Sequence, residues 1–215
     1  SRGLGDVYKR QQRGFDRINV PSVLTTLVTD ELDFPNLSMV GVDDRAAAYT
    51  AVDYLIRQGH RKIAVLGGPV TSYPSLMRRK GAQQAMEDAG IVFNDKLYGL
   101  SNYDFESAYH AMNSLLARRA EFTALFAMSD VIAFGAIRAL VSAGLRVPED
   151  VSVIGFDGIT MSRYCVPVMT TIVQPSEQIA LQSIELLVRQ IEHGSSAQTV
   201  TLQPELQQGE SVRAI

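Results

Sequence analysis

The sequence has one cysteine, Cys165, among 215 residues. That excludes an internal disulfide framework and a zinc site built on thiolates, and it fits a reducing compartment. Long apolar runs are missing too: nothing approaches the ~20 residues of a membrane span. No secretory signal is visible, because the start is polar and carries Arg2, Lys9, Arg10 and Arg13. An excess of one charge is also missing. Twenty basic against twenty-three acidic side chains leave −3, too little for a strong pull on nucleic acid or an anionic membrane. What is present is ordinary for a globular chain. The 46% hydrophobic and 20% charged residues exclude disorder and a coiled coil. At ~150 residues per domain, the length fits one large domain or two small lobes.

The motifs of common chemistries are absent as well. Gly67, Gly68 and Pro69 are not followed by Gly-Lys-Ser/Thr, so there is no Walker phosphate loop. No Gly-x-Gly-x-x-Gly follows a strand, and no Gly-x-Ser-x-Gly elbow occurs. His60, His110 and His193 stand singly, without metal-ligand spacing. Cys165 has no neighbouring base to activate it. These absences predict no catalytic group, no cofactor and no metal.

The chain alternates helices and strands. Residues 1–17 lack hydrophobic period and read as a leader, with no initiating Met. Val23–Val28 and Ser38–Val42 read as strands. Asp43 and Asp44 stand where an N-cap belongs, and Ala48, Ala51, Val52 and Leu55 mark one helical face behind them. Gly59 stops that helix before strand Lys62–Leu66. The unit recurs: helix Ser75–Ala89 stopped by Gly90, helix Asp104–Ala117 before strand Thr123–Ala127, and helix Asp130–Ala143 stopped by Gly144 before strand Val151–Phe156. Asp157–Pro167 is irregular, with room for one helical turn. Thr170–Val173 is extended. A long helix, Ser176–His193, carries Ala180, Ile184, Leu187, Val188 and Ile191 on one face; Thr199–Leu202 and a short segment from Pro204 follow. Strands rich in Val, Ile, Leu, Ala and Phe, each followed by a helix, predict a doubly wound parallel α/β sheet.

In such sheets, ligands bind beyond the carboxyl ends of the strands. There the sequence places Ser72 and Arg78 after the strand ending at Leu66, Tyr103 after the Leu97–Leu100 run, Ser129 and Asp130 after Ala127, and Asp157 after Phe156. A guanidinium fork, two carboxylates, hydroxyls and an aromatic face suit a neutral polyhydroxylated ligand. Each residue also has a structural reading: Ser129 or Asp130 as a helix cap, Asp157 as a turn residue, Arg78 on a solvated basic face with Arg79 and Lys80, and Tyr103 in core packing.

Several strings resemble one family. They are Asp43-Asp44-Arg45-Ala46, Leu55-Ile56-Arg57-Gln58-Gly59-His60-Arg61-Lys62-Ile63-Ala64, Leu66-Gly67-Gly68-Pro69, Ser129-Asp130 with Ala133 and Gly135-Ala136, the run from Gly144-Leu145-Arg146-Val147-Pro148-Glu149 to Gly155-Phe156-Asp157, and Thr170-Thr171-Ile172-Val173-Gln174-Pro175. In order and spacing they are similar to the effector-binding core of the lactose/galactose repressor family of bacterial transcription regulators. The resemblance implies a periplasmic-binding-protein-like sensor of two lobes, a small effector (sugar or nucleoside) between them, a homodimer, a cytoplasmic location, no membrane partner and no enzyme activity. It also implies effector contacts at Arg78, Tyr103, Ser129, Asp130 and Asp157. Ser129 departs from the usual Asn, Gly158 from a frequent second Asp or Asn, and Thr26 from a strand-end Asp.

The family begins with a helix-turn-helix and two or three β-α units that nothing before Ile18 resembles. The expectation is therefore an incomplete first lobe, residues 18–42 with 174–203, beside a second lobe of 43–173 with 204–215. Operator DNA would be a partner only through the missing N-terminal domain. A periplasmic solute-binding protein feeding a transporter is the alternative with the same architecture.

Overall fold

The computed structural model describes residues 20–29, 36–119 and 121–215. The leader expected over 1–17 lies outside these residues, as does Pro35. The elements run β1 (Ser22–Thr25), β2 (Leu37–Val42), α1 (Asp44–Arg57), β3 (Ile63–Gly67), α2 (Tyr73–Asp88), β4 (Tyr98–Leu100), α3 (Phe105–Ala117), β5 (Ala124–Ala127), α4 (Asp130–Ser142), β6 (Ser152–Asp157), β7 (Thr170–Val173), α5 (Ser176–His193), β8 (Thr199–Leu202) and β9 (Glu205–Gln207). They fall into two compact units. One holds the described residues up to Asp43 with Pro175–Pro204, and the other holds Asp44–Gln174 with Glu205–Ile215. Both are α/β units built on parallel strands.

The second unit is built on a six-stranded sheet in the order β4-β3-β5-β6-β7-β9. The first five strands are parallel, and β3, β5 and most of β6 are buried along their length. Helices on the sheet explain the near-continuous apolar runs. The core joins strand residues such as Leu66, Phe126 and Ile154 to Leu55, Met86, Met112 and Leu140 of the helices. β9 departs from the parallel pattern: it runs antiparallel to β7, with Ile172 opposite Leu206. No helix separates it from Pro204, so the chain reaches the sheet edge directly.

The first unit has a three-stranded parallel sheet, β1-β2-β8, with α5 packed on it. The strand expected over Val23–Val28 ends at Thr25, because Thr26 turns into the left-handed region at φ 62°. The face of α5 also differs from expectation. Ile179, Ser183, Leu186 and Gln190 form the buried row, and Ile179 and Leu186 meet Val40 and Val42. Leu181, Ile184, Val188 and Ile191 form a second apolar row that is exposed. The helix carries two apolar rows, and the sheet has room for one.

Candidate functional site

Two helix starts set up the site. α1 begins at Asp44, whose side chain is buried. α2 begins behind Ser72, whose hydroxyl accepts from the Ser75 N–H at 3.4 Å, with Pro74 in the first turn. α2 lies close on α1 at Gly81, where an added Cβ would sit 2.1 Å from the Arg45 carbonyl oxygen. One turn earlier on the same helix, Arg78 comes against Asp44.

Arg78 is the centre of the arrangement. Its side chain is 6% exposed. Nε donates to Asp44 Oδ1 at 2.7 Å, and Nη1 donates to the Met128 carbonyl at 2.5 Å. Nη1 also lies 3.5 Å from Asp157 Oδ1. The guanidinium stacks over Phe156, with its carbon 3.6 Å from the ring centroid. Burial works against charge on Arg78, but the two carboxylates outweigh it and raise its pKa. Burial pushes the Asp157 carboxyl up, while Arg78 and a hydrogen bond from Gln174 Nε2 at 2.8 Å pull it down.

Tyr103 is placed by its backbone and by Gly68. It adopts φ 60°, and its ring covers Gly68 so closely that a Cβ there would lie 2.1 Å from the ring. Its hydroxyl is buried and has no hydrogen-bond partner among the described residues.

Asp157 and Arg78 are thus brought together, and Tyr103 stands over Gly68, in the loop that leads to the helix carrying Arg78. Ser72, Ser129 and Asp130 have framework bonds instead. Ser129 caps α4 by accepting from the Ile132 N–H at 3.1 Å. Asp130 is fully buried, accepting from Thr171 Oγ1 at 2.6 Å and from the Ile159 N–H at 2.9 Å. Burial holds its carboxyl up at about 6, against those bonds. Asp130 therefore fixes the loop that follows Asp157, and Ser129 adjoins the carbonyl that Arg78 holds.

Sequence reasoning missed Asp44, Phe156 and Gln174 as members of this cluster. Asp44 looked like a cap, and Gln174 was only part of a matching string. No local pattern announces a partner 34 residues away, as Arg78 is from Asp44. Among the described residues, no group of three His, Cys, Asp or Glu side chains is gathered that could hold a metal ion, and no helix is long and apolar enough to cross a membrane.

Residues 52–212 match the periplasmic binding protein-like domain. The chain belongs to that family. Its relatives within it are transcription regulators of the lactose/galactose repressor type. It is 36% identical over 208 residues to the HTH-type transcriptional regulator MalR of Clostridium butyricum, a match covering 96% of this chain and 62% of MalR. Among solved structures it resembles the complex of the transcriptional regulator CelR with cellobiose, at TM-score 0.81 and 28% identity, over 98% of this chain and 71% of that one. It also resembles a sugar-binding transcriptional regulator of the LacI family from Escherichia coli complexed with phosphate, at TM-score 0.78 and 28% identity, over 99% and 84%. The chain spans between half and two thirds of the length of the curated relatives it matches.

Proposed function

We propose that this chain is the ligand-sensing part of a LacI-type transcription regulator. It binds a small neutral effector rich in hydroxyls, a sugar or a nucleoside, at the Arg78–Asp157–Tyr103 cluster. Binding modulates operator recognition by the helix-turn-helix that regulators of this type carry. The observation that carries this reading is a guanidinium locked in place at the ends of the strands, with a buried phenol hydroxyl over Gly68 that has no hydrogen-bond partner among the described residues. A locked donor loses little freedom on binding, and an unpartnered hydroxyl gains a bond it otherwise lacks.

The charge balance favours neutral ligands. Arg78 already faces the carboxylates of Asp44 and Asp157, so little positive potential is left for a phosphate. Ser72, Ser129 and Asp130 would shape the site around this centre. No catalytic step is proposed. The relatives are regulators, which favours sensing over supply to a transporter. The protein would act in the cytoplasm, as a homodimer.

The test is a thermal melt with pentoses, hexoses, their phosphates and nucleosides. A compound at ~100 times its dissociation constant adds about 2.7 kcal/mol of stability. A neutral sugar or nucleoside should raise the melting temperature more than its phosphate. A larger shift from the phosphates would overturn the neutral reading, and no shift from any compound would overturn ligand sensing at this site.

A further inference from the structure

At the end of β3, the carbonyls of Gly67, Gly68 and Pro69 are each taken by a serine. The Gly67 carbonyl accepts from Ser101 twice, from its N–H at 2.8 Å and its hydroxyl at 2.9 Å. The Gly68 carbonyl accepts from the Ser75 hydroxyl at 3.2 Å, and the Pro69 carbonyl from the Ser72 N–H at 3.0 Å. Ser75 and Ser101 are both buried. A trans peptide is planar, and its N–H points opposite to its C=O. Pinning the Gly67 carbonyl therefore aims the Gly68 N–H away from Ser101.

That N–H has no hydrogen-bond partner among the described residues, and Gly68 is buried. Continuing the ladder one step past the Leu66–Ala127 pair would give it the Met128 carbonyl, but Arg78 Nη1 holds that carbonyl instead. Buried backbone donors are seldom left unpaired. The Tyr103 hydroxyl is a second buried donor without a partner among the described residues. The ring carbon that carries it would lie 2.3 Å from a Cβ on Gly68. Two unpaired donors thus adjoin one glycine, and any side chain there would displace the ring.

We propose that the Gly68 N–H and the Tyr103 hydroxyl form a subsite for an uncharged oxygen acceptor of the effector: a ring or hydroxyl oxygen of a sugar, or a base carbonyl of a nucleoside. Ser101 is its positioning residue. An oxygen placed here satisfies donors that an apolar group would leave unpaired, so the subsite selects for the acceptor and not for bulk. The occupant rests on the function proposed above; the free N–H does not.

Amide NMR of the whole chain tests this. Without ligand, the Gly68 amide should exchange with water on the order of a hundredfold faster than the amide of Leu66, which is paired on both sides in the sheet. Equal protection of the two would mean that the Tyr103 ring takes the hydrogen, and would overturn the subsite. D-Ribose, D-glucose, uridine and adenosine are then titrated. A compound that binds should move the Gly68 amide downfield and slow its exchange. A shift with the free sugars assigns the sugar oxygen, and a shift with uridine alone assigns the base carbonyl. Ser101→Ala should weaken that compound roughly two- to tenfold, as for one hydrogen bond, and Ser101→Thr should restore it. Unchanged affinity in Ser101→Ala would overturn the positioning role. The spectra of the parent chain need no variant, so they decide the subsite even where Ser101→Ala does not fold. A compound that raises the melting temperature and leaves the Gly68 amide unmoved would remove the subsite and leave sensing. A fast Gly68 amide in a chain that binds no compound would remove the proposed function, and this occupant with it.

Discussion

Arg78 lies face-on over the ring of Phe156, with its guanidinium carbon 3.6 Å from the ring centroid. The two residues come from different elements, the helix α2 and the strand β6. The stack fixes the plane of the guanidinium, and Asp44 and the Met128 carbonyl fix its rotation within that plane. A lysine has neither the plane nor the fork to use this seat.

Arg78→Met should cost about 3–5 kcal/mol of stability, because it takes the cationic partner from the buried Asp44 carboxylate and from the half-buried Asp157. Adding Asp44→Asn should return part of that loss. Urea denaturation of the two variants checks this. Equal midpoints for the single and double variants would contradict the pairing.

Tyr103→Phe should separate stability from binding. It removes a buried hydroxyl with no hydrogen-bond partner among the described residues, so stability should hold or rise by up to ~1 kcal/mol. Affinity for whichever sugar or nucleoside raises the melting temperature should fall, as read by calorimetric titration. Unchanged affinity would place Tyr103 outside the contact set.

Asp130 predicts a pH dependence of one sign. Its carboxyl is raised from 3.8 to about 6, chiefly by burial. The folded protein therefore holds this proton more tightly than the unfolded chain does. The resulting stability is fully present below about pH 4 and is lost as pH rises through about 6, by roughly 2–3 kcal/mol. Asp130→Asn should lack this slope. Melting curves of both proteins between pH 4 and 7 supply the difference, and parallel profiles would refute it.

His60 predicts the opposite sign. The ring is buried between Thr123 Oγ1 and the Arg213 carbonyl, so Nε2 carries the hydrogen and Nδ1 accepts. Burial lowers its pKa from 6.5. Its contribution is present above pH 6.5 and is lost as pH falls through the lower folded value. His60→Phe should free the chain around Arg213, which trypsin would then cut faster than in the parent protein.

The sequence and the structure agree where local rules govern. Gly59, Gly90, Gly144 and Gly194 do take left-handed conformations at helix ends, and Asp104 caps α3 through the Ser107 N–H. Period and capping are properties of a few neighbouring residues, so one sequence suffices to see them. Asp157 could be placed at a strand end, and Arg78 in the helix that follows one, for the same reason. The Asp44–Arg78 pair could not, because two helices must pack before either residue acquires its partner. The choice between the two apolar rows of α5 likewise depends on which one meets β2. Thr26 carries no local mark of a left-handed turn, so its strand appeared longer than it is.

Asp157 and Tyr103 are both non-glycine residues held at positive φ, at 112° and 60°. Such positions cost of order 1–3 kcal/mol each. An experimenter who selects variants of this protein for heat resistance alone will therefore meet a conflict. Glycine at either position relieves the backbone, yet the carboxylate beside Arg78, or the phenol over Gly68, would be gone. Libraries aimed at a hardier protein should keep these two codons fixed, or a round of selection can trade the proposed ligand contacts for a relaxed backbone.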